Sequence, residues 1–183
     1  MKIPAATPLL NANGFELIPY CLDHDTQTVL WLNDPRMQSS FGLSRKVTVP
    51  SHRTWIDSNE EVMIWAITEG QTHLGNILLH LELNRGSAYL QVYLGEVSSR
   101  SRGVGGRVME CVLDFAFKKL ELHRIWLHTL PGNEAAEALY TKVGFVREGI
   151  ERDGLLRDGE FSDQYRWSLL ADEWGNRVNR DSK

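Results

Sequence analysis

The hydrophobic pattern of this chain changes its period once, between residues 94 and 103. Before that point, residues 76–83 place apolar side chains at every second position. With the apolar runs 62–68 and 88–94, they predict three consecutive strands in an antiparallel meander. After it, residues 103–120 carry apolar side chains at helical spacing. From residue 88 onward the predicted order is strand, helix, strand, helix, strand, strand, which indicates an α+β fold around a mixed sheet.

Shorter segments complete the predicted architecture. We expect an opening strand, two helices in the first third, and a second strand–helix unit before two closing strands. Their expected bounds are 15–18 for the opening strand, 22–32 and 51–57 for the early helices, 125–129 for the fifth strand, 133–143 for the helix between Asn133 and Gly144, and 146–150 and 164–169 for the closing strands. Ser51 is the expected N-cap of its helix, because a serine hydroxyl accepts from first-turn N–H groups.

Composition narrows the classes of function. The 20 basic against 24 acidic residues give a net charge of −4, which argues against a nucleic-acid or membrane-surface binder, since both need a basic excess. We recognise no signal peptide and no apolar run of the roughly 20 residues that span a membrane. Cys21 and Cys111 are too few for a disulfide framework or a four-thiolate zinc site, so we expect a reduced, cytoplasmic setting and no metal. The 183 residues fit a single domain spanning residues 1–183.

A glycine loop with three arginines, RSRGVGGR at residues 100–107, is the strongest local motif. It lies between a predicted strand and a predicted helix, where free first-turn N–H groups and the helix dipole favour phosphate. The lysine and hydroxyl residue of a P-loop do not follow, and Val108 stands where a Rossmann pattern has its third glycine. The loop therefore predicts either a different phosphate site or a glycine-rich turn with solvated arginines.

A second motif follows the loop: Asn133 opens a predicted helix that carries Leu139–Tyr140, and Gly144–Phe145 follows that helix. With these two motifs, the chain resembles the GNAT superfamily of N-acetyltransferases. The loop matches the family's Gln/Arg-x-x-Gly-x-Gly/Ala signature. The second motif is an asparagine that opens a helix, followed by Leu-Tyr and Gly-Phe pairs. The matching positions are Arg100, Gly103 and Gly105 in the first motif, and Asn133, Leu139–Tyr140 and Gly144–Phe145 in the second. Residues 31–35, 146–149, 163 and 169–170 look like the ribosomal-protein alanine/serine acetyltransferase branch, and residues 51–55 also resemble amino-sugar-nucleotide acetyltransferases.

The resemblance implies the GNAT fold: a mixed central sheet of about seven strands flanked by about four helices. In that fold the fourth strand splays from the fifth and opens a cleft for acetyl-CoA, the co-substrate. The cofactor-binding positions that it implies are Val92, Tyr93 and Leu94 along the pantetheine, Arg100, Ser101, Arg102, Gly103, Val104, Gly105 and Gly106 around the pyrophosphate, and Asn133 at the pantetheine arm.

The resemblance implies Tyr140 as the general acid and leaves the base open. An amine must be neutral to attack a thioester, so a base or a water relay has to remove a proton. His128 has a suitable ordinary pKa, about 6.5, but also fits a structural histidine of a buried strand. His80 and Glu82 are rival relay members, and Tyr89 stands where related sequences often have a glutamate. Tyr140 alone would equally fit an amphipathic core tyrosine.

The acceptor is left open as a class of amine. A protein N-terminus, an amino sugar or another small amine would each fit an N-acetyltransferase. Six acidic residues between 147 and 163 predict either an acidic rim that attracts a cationic amine or a solvated loop. Trp31, Phe41 and Trp55 are candidate walls of the acceptor site or core residues.

Two other functions compete with the enzyme: an acyl-CoA-binding module without turnover, and a nucleotide-binding protein that uses the glycine loop. We expect no nucleic-acid or membrane partner, and the residues leave a homodimer open.

Overall fold

A computed structural model describes residues 6–41, 45–96, 99, 102–157 and 159–181. Within them, eight strands form one sheet, and their bounds are β1 (Leu10–Asn11), β2 (Glu16–Pro19), β3 (Val62–Glu69), β4 (Thr72–Glu82), β5 (Ser87–Leu94), β6 (Arg124–Thr129), β7 (Val146–Arg157) and β8 (Glu160–Leu170). Their order across the sheet is β1-β2-β3-β4-β5-β6-β8-β7. All neighbouring strands are antiparallel except β5 and β6, which are parallel. The sheet is therefore mixed, and the predicted α+β class is confirmed.

The predicted meander forms the centre of the sheet. Its strands are β3 (Val62–Glu69), β4 (Thr72–Glu82) and β5 (Ser87–Leu94). The opening strand is β2 (Glu16–Pro19), and the edge strand β1 (Leu10–Asn11), which the sequence pattern did not predict, pairs with it. Alternating apolar residues such as Ile77 and Leu79 are fully buried, as the period of two requires.

Three helices pack in the first third of the chain: α1 (Asp25–Leu32), α2 (Pro35–Phe41) and α3 (Val49–Asp57). A short 3-10 turn, Leu22–His24, precedes α1. The prediction that Ser51 caps α3 was wrong. Thr48 is the N-cap, and its Oγ1 accepts from the Ser51 N–H at 3.2 Å. The Ser51 Oγ accepts in turn from the Thr48 N–H at 2.9 Å.

The second half of the chain alternates helices and strands as predicted, then adds a long hairpin. The elements are α4 (Val104–Lys118), β6 (Arg124–Thr129), α5 (Glu134–Val143), β7 (Val146–Arg157), β8 (Glu160–Leu170) and α6 (Ala171–Asp181). The last two strands are longer than predicted because exposed polar residues continue the β7–β8 hairpin. Within the described residues, no helix is both long enough and apolar enough to span a bilayer.

The parallel pair β5 and β6 is joined along only part of its length. Ser87, Ala88 and Tyr89 pair with Arg124, Ile125 and Trp126, and the ladder ends there. Beyond Tyr89 and Trp126, β5 continues to Leu94 and β6 continues to Thr129, but the two strands no longer pair with each other. The two strands therefore diverge, and the predicted splay is present.

Two apolar clusters hold the sheet in place. The larger packs α4 and α5 against one face of the sheet and contains Val108, Met109 and Leu113. The smaller, on the side of α1–α3, centres on Trp31, Met37, Ile64, Leu78 and Tyr93. Burial of apolar surface contributes about 25 cal/mol per Å² to the free energy of folding, so both clusters stabilise the packing of the helices on the sheet.

Candidate functional site

The divergence of β5 and β6 opens a groove, here called the wedge groove, of about 340 Å³. Residues that line it include Val92, Tyr93, Leu94, Gly105, Asn133, Leu139 and Tyr140. Neighbouring residues of a strand direct their N–H and C=O groups to opposite sides, so alternate residues of 90–94 present unpaired backbone groups to this groove. An extended polar chain could therefore pair with the open edge of β5.

Asn133 begins α5 at the mouth of the wedge groove. Its Oδ1 accepts from the Ala136 N–H at 3.3 Å, so the side chain caps the helix that carries Tyr140. Gly144 ends the same helix with a φ of 107°, the left-handed conformation that favours glycine. Both predicted bounds of α5 are confirmed.

Tyr140 lies where α5 faces the groove. Its ring packs against Phe145 and Trp167, with centroid distances of 5.9 and 6.1 Å. Burial raises the pKa of its phenol well above the usual 10, so the hydroxyl stays protonated at any physiological pH. No described residue hydrogen-bonds that hydroxyl, and Tyr140 also lines a second cavity deeper in the cleft.

The glycine loop is only partly described: Arg100 and Ser101 lie outside the described residues. Gly103 is the N-cap of α4, and its φ of 75° requires a residue that tolerates the left-handed region. A Cβ on Gly105 would stand 3.2 Å from Leu139 Cδ2, so this glycine lets α4 approach α5. Val104 is buried in the core, so it presents only its backbone to a ligand.

The Arg102 side chain is already engaged. Its two terminal nitrogens donate to the Glu69 carboxylate at 3.0 and 2.6 Å, and its guanidinium lies 5.8 Å from the Phe15 ring centroid. Arg107 also contacts that ring, at 5.7 Å. The structure therefore places these two arginines beside the first strands, and the first-turn backbone of α4 becomes the more accessible anion donor.

His128 lines the deeper cavity, here called the wedge cavity, of about 290 Å³, with Tyr89, Gln91 and Tyr140. Its Nε2 lies 3.0 Å from Glu151 Oε2. The two atoms are not aligned for a hydrogen bond, so Glu151 acts on the imidazole through the charge of its carboxylate, and the contact does not decide which ring nitrogen carries the proton. Burial lowers the pKa of His128, and the Glu151 carboxylate opposes that shift. His128 is therefore neutral near pH 7 and able to accept a proton.

Glu151 is held in turn by two donors from β8. Arg166 donates to its Oε1 at 2.6 Å, and Gln164 donates to its Oε2 at 2.9 Å. Sequence reasoning counted Glu151 only as one of six acids in this region. Its partner could not be identified from spacing, because His128 and Glu151 belong to strands separated by α5.

A polar chain crosses the meander beside this cavity. His80 Nε2 contacts Gln91 Oε1 at 2.9 Å, and Gln91 Nε2 donates to the Tyr89 hydroxyl at 3.4 Å. The Tyr89 ring lies 5.7 Å from the His128 ring. His80 does not line the cavity itself and reaches it through Gln91, a residue that sequence reasoning did not single out, and through its ring contact with Tyr89 at 5.5 Å.

The other candidate residues lie elsewhere. Glu82 lies at the joined end of β4, β5 and β6, where it accepts from Ser87 at 2.5 Å and Trp126 at 3.1 Å. His52 contacts the Tyr20 hydroxyl at 3.1 Å. Trp31 is buried in the smaller apolar cluster. Two free cysteines, Cys21 and Cys111, form no disulfide, and no group of metal-ligating residues occurs among the described residues.

Two further cavities adjoin the wedge cavity. One, the aromatic cavity, of about 470 Å³, shares Phe41 and Gln91 with it and is walled by Trp55. The other, the hairpin cavity, of about 740 Å³, shares Asn133 with it and contains Asp153 and Asp163. Two of the six acids counted in the sequence, Asp153 and Asp163, therefore line one neighbouring cavity, and two of the predicted aromatic wall residues, Phe41 and Trp55, line the other.

Comparison with known proteins agrees with this architecture. A family model described as an acetyltransferase (GNAT) domain matches residues 15–146. The chain is 28% identical over 115 residues to spermidine N(1)-acetyltransferase of Vibrio cholerae, a match that covers 62% of this chain and 66% of that protein. The alignments with two curated bacterial relatives span 44% and 66% of those proteins, so the chain matches less than two thirds of their lengths.

Solved structures show the same fold at lower identity. Spermidine N-acetyltransferase from Vibrio cholerae in complex with CoA and spermine superposes with a TM-score of 0.81 at 19% identity, covering 89% of this chain and 99% of that one. The RimL ribosomal L7/L12 alpha-N-protein acetyltransferase in complex with coenzyme A gives a TM-score of 0.80 at 16% identity, covering 91% and 99%.

Proposed function

Because the chain belongs to the acetyltransferase (GNAT) domain family, we propose that it transfers the acetyl group of acetyl-CoA to a primary amine. The observation that carries this proposal is the wedge between β5 and β6, which brings an open strand edge, Asn133, Tyr140 and His128 to one cleft. The same fold contains CoA in the two solved structures named above. The domain spans residues 1–183 and acts in the cytoplasm.

The wedge groove fits the pantetheine arm of the co-substrate. Val92, Tyr93 and Leu94 supply the open backbone edge, and Asn133 lies across the groove from them. The pyrophosphate fits at the start of α4, on the backbone of residues 102–106. The contacts that the resemblance implies for Arg100 and Ser101 lie outside the described residues. Gly105 lines the groove in the first turn of α4, and because it has no side chain, a phosphate can come close to the backbone there.

Catalysis proceeds by direct attack through a tetrahedral intermediate. The amine forms the new C–N bond at the acetyl carbon, and His128 accepts the proton that the amine loses, directly or through a water. The negative charge that develops on the acetyl oxygen is stabilised by a backbone N–H of Tyr93 or Leu94. The C–S bond then breaks and the thiolate leaves.

Tyr140 stabilises the leaving thiolate. An ordinary thiol has a pKa of about 8.5, below that of a phenol, so a protonated Tyr140 donates a strong hydrogen bond to the sulfur and need not lose its proton completely. The burial that raises the pKa of Tyr140 keeps this donor available.

The proposed acceptor is a protein N-terminus or a small amine. Two similar proteins support this range of acceptors, since one is named as a ribosomal-protein alpha-N-acetyltransferase and the other as a spermidine acetyltransferase. An amino-sugar nucleotide is the alternative, supported by the resemblance of residues 51–55 and by the aromatic cavity that α3 covers.

Thiol release measured with acetyl-CoA and a panel of amines tests the proposal. We expect amine-dependent release of CoA and a matching acetylated product. Tight acetyl-CoA binding with no release for any amine would instead identify a non-catalytic acyl-CoA-binding module. Competition of ATP or NAD with CoA would support a nucleotide-binding protein.

A further inference from the structure

The aromatic cavity has apolar walls and no acidic lining. Phe41, Trp55, Leu78 and Tyr93 are among its lining residues, and none of the described residues that line it is an aspartate or glutamate. Trp55 stacks on His52 with an interplanar angle of 11° at 6.1 Å, which holds its ring in place. A flat apolar group would bury against these rings.

Two cations stand at the mouth of this cavity. Arg45 and Lys46 line it and are exposed, and neither forms a salt bridge with a described residue. Asp25, the buried acid of the neighbouring helix α1, is paired with Arg53 and so does not neutralise them. Among the described residues that line it, the cavity therefore carries two positive charges and no negative one, in a chain whose net charge is −4.

The cavity leads to the reacting groups. It adjoins the wedge cavity at Phe41 and Gln91, and that cavity contains His128 and Tyr140. A ligand seated against Trp55 would thus direct one end toward the acetyl carbon and leave its other end near Arg45 and Lys46.

We propose that the aromatic cavity is the acceptor site and that it selects an amine carrying a flat ring and an anionic group, either a carboxylate or a phosphate. This inference rests on the proposed acetyl transfer and names its substrate class. Positive charge at the mouth attracts the anion, and the apolar walls bind the ring.

The apolar walls also favour the reactive form of the amine. Desolvation lowers the pKa of an amine, so more of it is neutral when it reaches His128. The hairpin cavity acts in the opposite sense, because it is lined by two acids, Asp153 and Asp163, against one cation, Arg157, and the acids would stabilise the ammonium form that cannot attack. A polyamine bound there would need more free energy to lose the proton of its reacting ammonium group.

Matched amines separate the two sites. 4-(Aminomethyl)benzoate and benzylamine differ by a carboxylate at the end of the ring away from the amine, tyramine O-phosphate and tyramine differ by a phosphate at that end, and spermidine represents the polyamines. We expect kcat/KM to be about 10-fold or more higher for the anionic member of at least one pair than for its neutral partner. The difference should shrink as salt is raised. The pair that shows it identifies the anion as carboxylate or phosphate.

Variants then locate the selectivity. Arg45→Ala/Lys46→Ala should lower kcat/KM for the anionic member and so remove the preference within a pair, as expected for charges at the rim. Arg45→Glu/Lys46→Glu should reverse it. The control Arg85→Ala/Lys119→Ala removes the same two kinds of charge at exposed positions away from the cleft and should change nothing.

Each other outcome contradicts the inference. A preference for spermidine that is lost in Asp153→Asn/Asp163→Asn would place the acceptor in the hairpin cavity and overturn the inference alone, since acetyl transfer would stand. A preference for anions that Arg45→Ala/Lys46→Ala leaves unchanged would also overturn it. Acetyl-CoA binding without CoA release for any amine would overturn the proposed function and this inference with it.

Discussion

Burial acts on the two proposed catalytic side chains in opposite directions, and both effects favour their roles. It raises the pKa of Tyr140, an acid whose charged form is the anion, and lowers the pKa of His128, a base whose charged form is the cation. Each group is therefore neutral in the cleft at physiological pH. A neutral phenol donates and a neutral imidazole accepts, which is the pair that acyl transfer to an amine requires.

Tyr140→Phe tests the acid. It removes one hydroxyl and keeps the ring that packs on Phe145 and Trp167, so folding and acetyl-CoA affinity should stay near normal. We expect turnover to fall roughly 10-fold or more, within reach of general acid–base effects. Steady-state thiol release together with acetyl-CoA titration measures both quantities. Unchanged turnover would remove Tyr140 from the mechanism.

The pH profile tests the base. A lowered pKa of His128 predicts that activity rises through a midpoint below 6.5 and then reaches a plateau, because the neutral imidazole is the active form. Glu151→Gln removes the carboxylate that raises this pKa, so the midpoint should move to lower pH while the plateau rate falls.

His128→Gln should abolish that rise with pH, whereas His123→Gln, at an exposed histidine, should leave it in place. A midpoint that is the same in His128→Gln and in the unmodified protein would assign the titration to another group.

At the scale of elements, the cleft depends on how closely α4 approaches α5. Gly105 and Gly106 face Leu139, and a Cβ added to either glycine would stand 3.2 or 3.7 Å, respectively, from a methyl group of that leucine. Leu139 precedes Tyr140 on a helix that Asn133 caps. The glycine motif thus has a packing role beside the phosphate-binding role that the sequence predicts.

Gly105→Val tests this contact. The branched side chain would push α5 away from α4 and crowd the start of α4, so acetyl-CoA affinity should fall at least about 10-fold, in the range of overpacking effects of roughly 1–3 kcal/mol. Isothermal titration measures it. Gly149→Val is a matched control, since a Cβ there meets nothing within 4 Å. Normal binding by the Gly105 variant would contradict the assignment of this loop.

At the scale of the whole molecule, Glu148 of β7 links three strands by hydrogen bonds to side chains of β6 and β8. Arg124 of β6 donates to both of its oxygens at 2.7 Å, and Ser168 of β8 donates at 2.9 Å. The Arg124 guanidinium holds the pKa of Glu148 at about 2, below its usual 4.5. A carboxyl with a lowered folded pKa adds stability above its unfolded pKa and loses it as pH falls toward the folded value.

Thermal unfolding between pH 5 and pH 2 tests this tie. Glu148→Gln should lower the Tm at pH 7 and flatten the decline of Tm between about pH 4.5 and pH 2, because the titrating group is gone. Glu160→Gln, at an exposed carboxyl with no ion pair to a described residue, should leave that slope unchanged. An equally steep decline in both variants would show that Glu148 contributes no pH-dependent stability.

Local patterns determined the elements that depend on near neighbours. The apolar spacing of residues 103–120 corresponds to α4, the alternation of residues 76–83 corresponds to β4, and Asn133 and Gly144 bound α5, because periodicity and caps act over a few residues. The loop and helix motifs also indicated the family. The N-cap of α3 was misplaced by three residues, since Thr48 and Ser51 are both capping residue types and only their backbone conformations distinguish them.

Only the tertiary structure decided which distant groups meet. The insertion of β8 between β6 and β7 brings Gln164 and Arg166 to Glu151, and the pairing of β7 with β8 carries Glu151 to His128. The pairing of Arg102 with Glu69 and the closure of the aromatic cavity by α3 likewise join segments far apart in the chain. Sequence spacing measures distance along the chain, whereas these contacts depend on strand order and helix packing, which the whole core determines at once.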